Sequence, residues 1–363
     1  MEQKEVVSEI TQRVTTVDQL LEIHNLSLED WEVERQSVNT WEVGAKGPDG
    51  TIVTTPLYQV KVTLKSKKYQ TDIVQIIESA KEDLKKLSPK VVSYKYVGNK
   101  GDGCLLQINI FDVHLGKVAW NEEVNDIYDT NVAIMRYNNA IDYFIQETQH
   151  KNIERICLPI GNDFFNSDKA YPFNSTTSGT PQDEDGRWQD TFRRGREMLV
   201  ENITKLSQIA PVDVIIIPGN HDFQKCFYLG DALEGWFYRN DNVTVNNSAN
   251  PRKYYVYHKN LIGLTHGNEE RLTDLPMIMA NEQPRAWAET WYREWNLGHL
   301  HHKKEYKYKS TEDYQGVMIR YMSSLSGTDA WHHKKGYVGA TRSAEALIRH
   351  PEKGMIQQIY YNI

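Results

Sequence analysis

Three apolar runs constrain this 363-residue chain more than any other feature: "CLLQINIFD" (104–112), "IERICLPIGND" (153–163) and "VDVIIIPGNHD" (212–222). Each is short, rich in aliphatic residues, and stops abruptly in polar ones. Between them lie "YDTNVAIMRYNNAIDYFIQETQ" (128–149) and "TFRRGREMLVENITKLSQIA" (191–210), which have helical length and periodicity. Strands that alternate with helices predict an α/β domain with parallel pairing. "KYYVYHK", "LIGLTHG", "EWNLGHLHH", "GVMIRYMSSL" and "GMIQQIYYNI" read as further strands.

The strand ends share one chemistry. Asp112 and His114 stand at i and i+2, so in an extended chain they point the same way. Alone, the pair is better explained by a surface Asp–His hydrogen bond. The other runs end in Asp163 and Asn166, in Asn220, His221 and Asp222, in His266, and in His299 and His301. In open α/β sheets the ligand site lies beyond the carboxyl ends of the strands. Carboxylates, imidazoles and an amide gathered there are costly unless a counter-charge joins them. Mixed oxygen and nitrogen ligands without thiolate suit Mn²⁺, Fe²⁺ or Zn²⁺, with Mg²⁺ also considered. Seven ligands fit two ions that share a bridge: Asp112, His114 and His301 for one, Asn220, His266 and His299 for the other, and Asp163 between them. Gly161, Gly219 and Gly298 precede ligands where the chain must turn sharply.

The first hundred residues differ. "TTVDQLLEIHNLSLEDWEVERQS" predicts two short helices, capped by Thr16 and by Ser27 with Asp30, with Leu20, Leu21, Leu28 and Trp31 forming an apolar face. Alternating residues on both sides of "KGPDG" predict a hairpin. "DIVQIIESAKEDLKKL" (72–87) reads as an amphipathic helix, and 88–103 as a linker. We therefore expect an N-terminal α+β, winged-helix-like domain over 1–99 and a catalytic domain over 100–363. The N-terminal domain would bind nucleic acid or, alternatively, pair copies of the chain in a homo-oligomer.

Composition narrows the setting. A net charge of −7 excludes a generally basic coat but not a local groove. Cys104, Cys157 and Cys226 are scattered and odd in number, which fits buried free thiols in a reducing, cytoplasmic compartment. "MEQKEVVSEITQRV" is no signal peptide, and no run of about 18 apolar residues would span a membrane.

The blocks "D-V-H", "G-N-D-F-F-N", "G-N-H-D", "T-H-G" and "G-H-L-H", in that order from about Cys104 to beyond His301, resemble the calcineurin-like metallophosphoesterases. "D-V-H-L-G-K" is similar to the SbcD-type exonuclease subunits, and the compact layout resembles phage and bacterial members. Asn162 stands where the family commonly has G-D or G-G-D. The resemblance implies a four-layer α-β-β-α sandwich and two divalent ions, Mn²⁺ first, held as assigned above. His221 would then be no ligand but a proton donor beside the scissile phosphate, with Asp222 tuning it or capping a helix. An SbcC-like ATPase partner is not expected, because only 62 residues follow His301.

The activity so implied is hydrolysis of DNA or RNA phosphodiesters by a hydroxide held between the ions. A phosphatase or a small or cyclic-nucleotide phosphodiesterase is the alternative, favoured by the acidic charge and by the polar loop "SDKAYPFNSTTSGTPQDEDGRW" (167–188), a plausible lid. Asn166, Lys117, Arg193 and Arg194 are candidate substrate contacts, as are the basic, aromatic stretches "HHKKEYKYK" and "WHHKKGY".

Overall fold

The computed structural model describes residues 3–46, 48, 52–66, 82, 85, 88, 103–171, 173–300, 311–314, 316–327 and 341–363. Its contacts divide the chain into two units, Met1–Asp83 and Leu84–Ile363. Nearly all of the helix expected over 72–87 and of the linker after it lies outside the described residues. So do His301 and the basic stretches at 301–309 and 331–337.

The first unit contains β1 (Gln3–Val7), α1 (Val17–Ile23), β2 (Trp31–Lys46) and β3 (Ile52–Ser66). The strands form an antiparallel sheet in the order β1-β3-β2, and the pair Lys46↔Ile52 closes the expected hairpin. Thr16 caps α1, with Gln19 reaching back to complete a capping box. Leu20 and Leu21 pack on Val60, Val62 and Leu64.

The second expected helix is absent, which corrects the helix-turn-helix part of the winged-helix expectation. Ser27 instead accepts the Glu29 amide in a turn (3.1 Å), and β2 starts at Trp31. Trp31 and Val33, two apart, both pack on the unit's core. Pairing with β3 therefore overrides a weak local helical spacing.

The second unit is mixed α/β, as the alternation predicts. It runs β4 (Cys104–Asn109), α2 (Asn121–Val124), α3 (Thr130–Thr148), β5 (Ile153–Gly161), α4 (Trp188–Ser207), β6 (Val212–Ile217), α5 (Phe223–Phe237), β7 (Val243–Asn246), β8 (Lys253–Tyr257), β9 (Asn260–Thr265), α6 (Leu275–Glu282), α7 (Pro284–Glu289), β10 (Tyr292–Leu297), β11 (Thr311–Tyr314), β12 (Val317–Tyr321), β13 (Ser343–His350) and β14 (Gly354–Asn362). One sheet has the order β14-β13-β4-β5-β6-β7 and the other β11-β12-β10-β9-β8. β4 to β7 run parallel, as do β9, β10 and β12; the remaining pairings are antiparallel.

The continuous apolar runs follow from burial on both sheet faces. Ile108, Leu158, Val214 and Ile216 pack with Phe144 of α3, Leu199 of α4 and Leu229 of α5. Their neighbours Leu105, Cys157, Ile215 and Ile217 point the other way, against Ile262 and Leu264 of β9. Leu261, Trp295 and Ile319 pack with Leu275 and Met279 of α6. All three cysteines are buried, and none is in a disulfide. Among the described residues no helix is long and apolar enough to cross a membrane.

A polar network crosses the inner faces of the two sheets. Gln107 of β4 donates to Asn296 of β10 and accepts from Arg349 of β13 (3.0 Å). Asn296 donates to Glu294 (2.8 Å), and Glu294 pairs with Arg320 (2.8 Å) and Arg349 (3.0 Å). Burial pushes the Glu294 carboxyl up, but the charges of Arg349 and Arg320 outweigh it and hold it below its ordinary value. Glu294→Gln should cost about 3 kcal/mol in urea unfolding at neutral pH, because it leaves two buried guanidinium groups short of a charge. Glu294 titrates lower folded than unfolded (about 4.3). Its contribution is thus complete above that pH and is lost as pH falls through the folded value. The gap between wild type and variant should close on acidification.

Candidate metal centre

The carboxyl ends of β4, β5 and β6 in one sheet and of β9 and β10 in the other meet at a single place. The loops there are laced by backbone bonds. Asp112 N donates to Asn162 O (2.9 Å), His114 N to Asp163 O (2.9 Å), Asn162 N to Ile217 O (2.7 Å) and Gly298 N to His266 O (3.1 Å). The turns needed are severe. Asp112, His114, Asn162, Asp163 and His299 all take positive φ, from 48° to 69°. L-residues pay for that conformation, and it concentrates where function holds it in place. A Cβ on Gly219 would fall 2.0 Å from Asp163 Oδ1, so only glycine lets that strand end approach the carboxylate.

Asp163 is the hub. Oδ1 accepts the His221 amide (2.7 Å), and Oδ2 lies 3.0 Å from His266 Nε2. The same His266 nitrogen is 2.8 Å from Asn220 Oδ1 and 3.2 Å from His299 Nδ1, which is itself 3.1 Å from Asn220 Oδ1. Four lone-pair donors thus crowd one point, where a single imidazole proton can serve only one of them. A divalent cation satisfies all four, so this set fits a metal. A second cluster, His114, Asp163 and His221, brings ligand atoms within 4.8 Å of one another and shares Asp163 with the first. Asp112 sits beside both, accepting the His299 amide at 3.0 and 3.1 Å.

The electrostatics match. Asp112, Asp163 and Asp222 are fully buried. Burial pushes Asp112 up to about 7, and burial with the charge of Asp163 does the same to Asp222. Burial also pushes Asp163 up, but the charge and hydrogen bond of His266, with His221, hold it below the carboxylate range. Burial lowers His266, yet Asp163 raises it to about 9, while burial and His266 lower His299.

Of the seven expected ligands, the structure brings together Asp112, His114, Asp163, Asn220, His266 and His299; His301 lies outside the described residues. The other expected site residues have varied surroundings. His221 faces His114 edge-on (centroids 4.7 Å apart) and donates from Nδ1 to the Asn166 carbonyl (2.8 Å). Asn166 donates its side-chain amide to Asp183 O (3.0 Å), which ties its own loop rather than reaching outward. Asp222 gives its oxygens to the amides of Gly219 (3.0 Å) and Phe165 (3.1 Å), and so shapes the loop around His221. Lys117 is buried, and its charge acts on Asp112. Arg193 is exposed, and Arg194 bonds Asn131 at the start of α3, away from the ligands.

Comparison with protein-family models and with curated protein sequences finds no match.

Three participants escaped the sequence reading. Ser324 holds the Asp112 carbonyl from the end of β12 (2.7 Å). The serines of "MSSL" at a strand end were the available signal. Thr177, in the long polar loop, donates its amide to Asn220 O (3.0 Å). Asn162 is fully buried, and its side-chain amide has no hydrogen-bond partner among the described residues.

Asp163→Ala should abolish binding of both ions, whereas His299→Ala should remove one. Gly219→Ala should reproduce the Asp163 loss by displacing the carboxylate. Metal content after dialysis, with circular dichroism to verify folding, decides; two ions retained by Asp163→Ala would refute the shared ligand.

Proposed function

We propose that this chain is a dinuclear-metal phosphodiesterase of the calcineurin-like type, built as a four-layer α-β-β-α sandwich, and that its substrate is single-stranded nucleic acid. The observation that carries the reading is the convergence of Asp163, Asn220 and His299 on His266 Nε2, with His114 brought close to the same Asp163. Such a shared carboxylate between two nitrogen-rich clusters suits a pair of divalent ions. When bound, they would supply Lewis-acid charge for phosphate oxygens and acidify water at neutral pH. Asp112, His114 and Asp163 would hold one, and Asp163, Asn220, His266 and His299 the other, with His301 as the seventh ligand.

The chain's own residues do the rest. A carbonyl can only accept, so the Asn166 carbonyl fixes the proton on His221 Nδ1 and leaves Nε2 as the working nitrogen. As the imidazolium, with a second proton on Nε2, His221 gives that proton to the departing alkoxide and returns to the neutral Nδ1–H form, a demand that is large for a nucleotide and small for an activated phenolate. Asp222 positions the loop that presents it. Left-handed backbone at five site residues keeps the ligands pre-set, so little reorganisation accompanies reaction.

His221→Ala should keep its metal content and lose about 10²–10⁴-fold in turnover on a natural diester. It should lose far less on a nitrophenyl diester; equal losses on both would remove His221 from the proton role. With Mn²⁺ supplied, single-stranded DNA or RNA should be cut much faster than phosphomonoesters. If a mononucleotide monoester or cyclic nucleotide turns over well while single strands stay intact, the small-substrate alternative replaces this one.

A further inference from the structure

α5 leaves the candidate centre carrying aromatic rings that neither metal binding nor proton transfer uses. It begins at Phe223, two residues after His221. Its inner face buries Cys226, Leu229 and Leu233, yet Phe223, Phe227 and Tyr228 remain 49, 44 and 54 % exposed. Phe227 and Tyr228 meet edge to face, with centroids 6.5 Å apart. Phe223 lines two cavities at once. One, of about 440 Å³, is bounded by Asn220, His266, Arg252 and Glu270. The other, of about 200 Å³, is bounded by Pro218, Phe227, Tyr228 and Asn247. Phe223 thus links the cavity beside the ligand cluster to the one that Phe227 and Tyr228 line further along the helix. Two acids line the inner end: Glu270 accepts from Arg252 (3.3 Å) and from Thr265 (3.2 Å), and the exposed Glu269 accepts from the Asn268 amide (2.7 Å).

We propose that Phe223, Phe227 and Tyr228 form a stacking platform for the bases next to the scissile phosphate of a single strand; this rests on the phosphodiesterase reading above. Apolar rings left in water beside a reaction centre suit a ligand with flat π-faces, and every base has one. Spacing sets the form of that ligand. Residues four apart on a helix rise about 6 Å along its axis, against about 3.4 Å between stacked bases of one strand. Bases seated on Phe223 and Phe227 must therefore be pulled out of their own stack, which a duplex resists and a single strand allows. Stacking needs no particular base edge, so the platform selects strandedness with little sequence preference.

The experiment is equilibrium binding of the full chain to fluorescent oligonucleotides, with and without EDTA. The ligands are an intact single strand, the same strand with abasic sites, and a duplex. The wild type should bind the intact strand best. Phe227→Ala combined with Tyr228→Ala should weaken intact-strand binding about tenfold or more, down to the level of the abasic strand, with unchanged circular dichroism. Phe223→Leu, which keeps the apolar volume and removes the ring, should show part of the loss. Equal affinity for intact and abasic strands in the wild type, or no change in the variants, overturns the platform. Hydrolysis of a small nitrophenyl diester, measured alongside, separates the two ideas. Its absence from the wild type with base-dependent binding intact would sink the phosphodiesterase reading alone, whereas its presence with base-blind binding would sink the platform alone.

Discussion

A single buried carboxylate, that of Asp163, joins the parts of this molecule that the sequence keeps far apart. It ends β5, takes the amide of His221 from the loop after β6, and faces His266 from the end of β9 in the other sheet. Two more buried carboxylates, Asp112 and Asp222, lie close enough to be raised by the charge of Asp163. In a low-dielectric interior three like charges cannot all ionise without compensation. His266 supplies part of it, and the clustered imidazoles around it define where more positive charge belongs. The chemistry of the site is thus a consequence of electrostatic need before it is one of catalysis.

The backbone meets that need at a cost. Five of the eight described non-glycine residues with positive φ are at the site. Each would relax if the loops were free, but the backbone bonds that Asp112, His114 and Asn162 donate to neighbouring loops, and Ser324 on the Asp112 carbonyl, hold them. Strain distributed over several loops is stable only when all are in place. The ligand geometry is therefore a property of the assembled sheets, not of any one motif.

This division explains what the sequence made legible. Six residues of the cluster could be read from it because a polar residue after "VIIIP" or "LIGLT" is conspicuous at a strand end, and strand ends have a fixed meaning in parallel sheets. α3 and α4 were legible from periodicity. α5 was not singled out, because "FQKCFYLGDALEGWF" carries exposed aromatics on its outer face and so blurs the apolar stripe. β13 escaped because "SAEALIRH" has helical residues and becomes a strand only by pairing between β4 and β14. In the first unit the Leu28–Trp31 spacing suggested a helix, but long-range pairing of β2 with β3 decided otherwise. The role of Asp222 was equally undecidable, since a carboxylate beside a histidine can serve the ring or the backbone; here the amides of Gly219 and Phe165 take it.

The polar network between the sheets serves the same assembly. Asn220 and Asp163 belong to one sheet, and His266 and His299 to the other, so contacts of 2.8 to 3.2 Å cross the inter-sheet boundary. Apolar side chains such as Ile215 and Leu264 oppose an offset of the sheets only through lost contact, because dispersion is not directional. An offset of an ångström would loosen that packing and break the ligand set. Hydrogen bonds from Gln107 to Asn296, and the pairing of Glu294 with Arg320 and Arg349, are directional and buried, and lose their energy over that distance. A chain that needed only stability could fill that space with leucine. One that must bring two sheets' strand ends to a common point gains from polar groups that allow a single alignment.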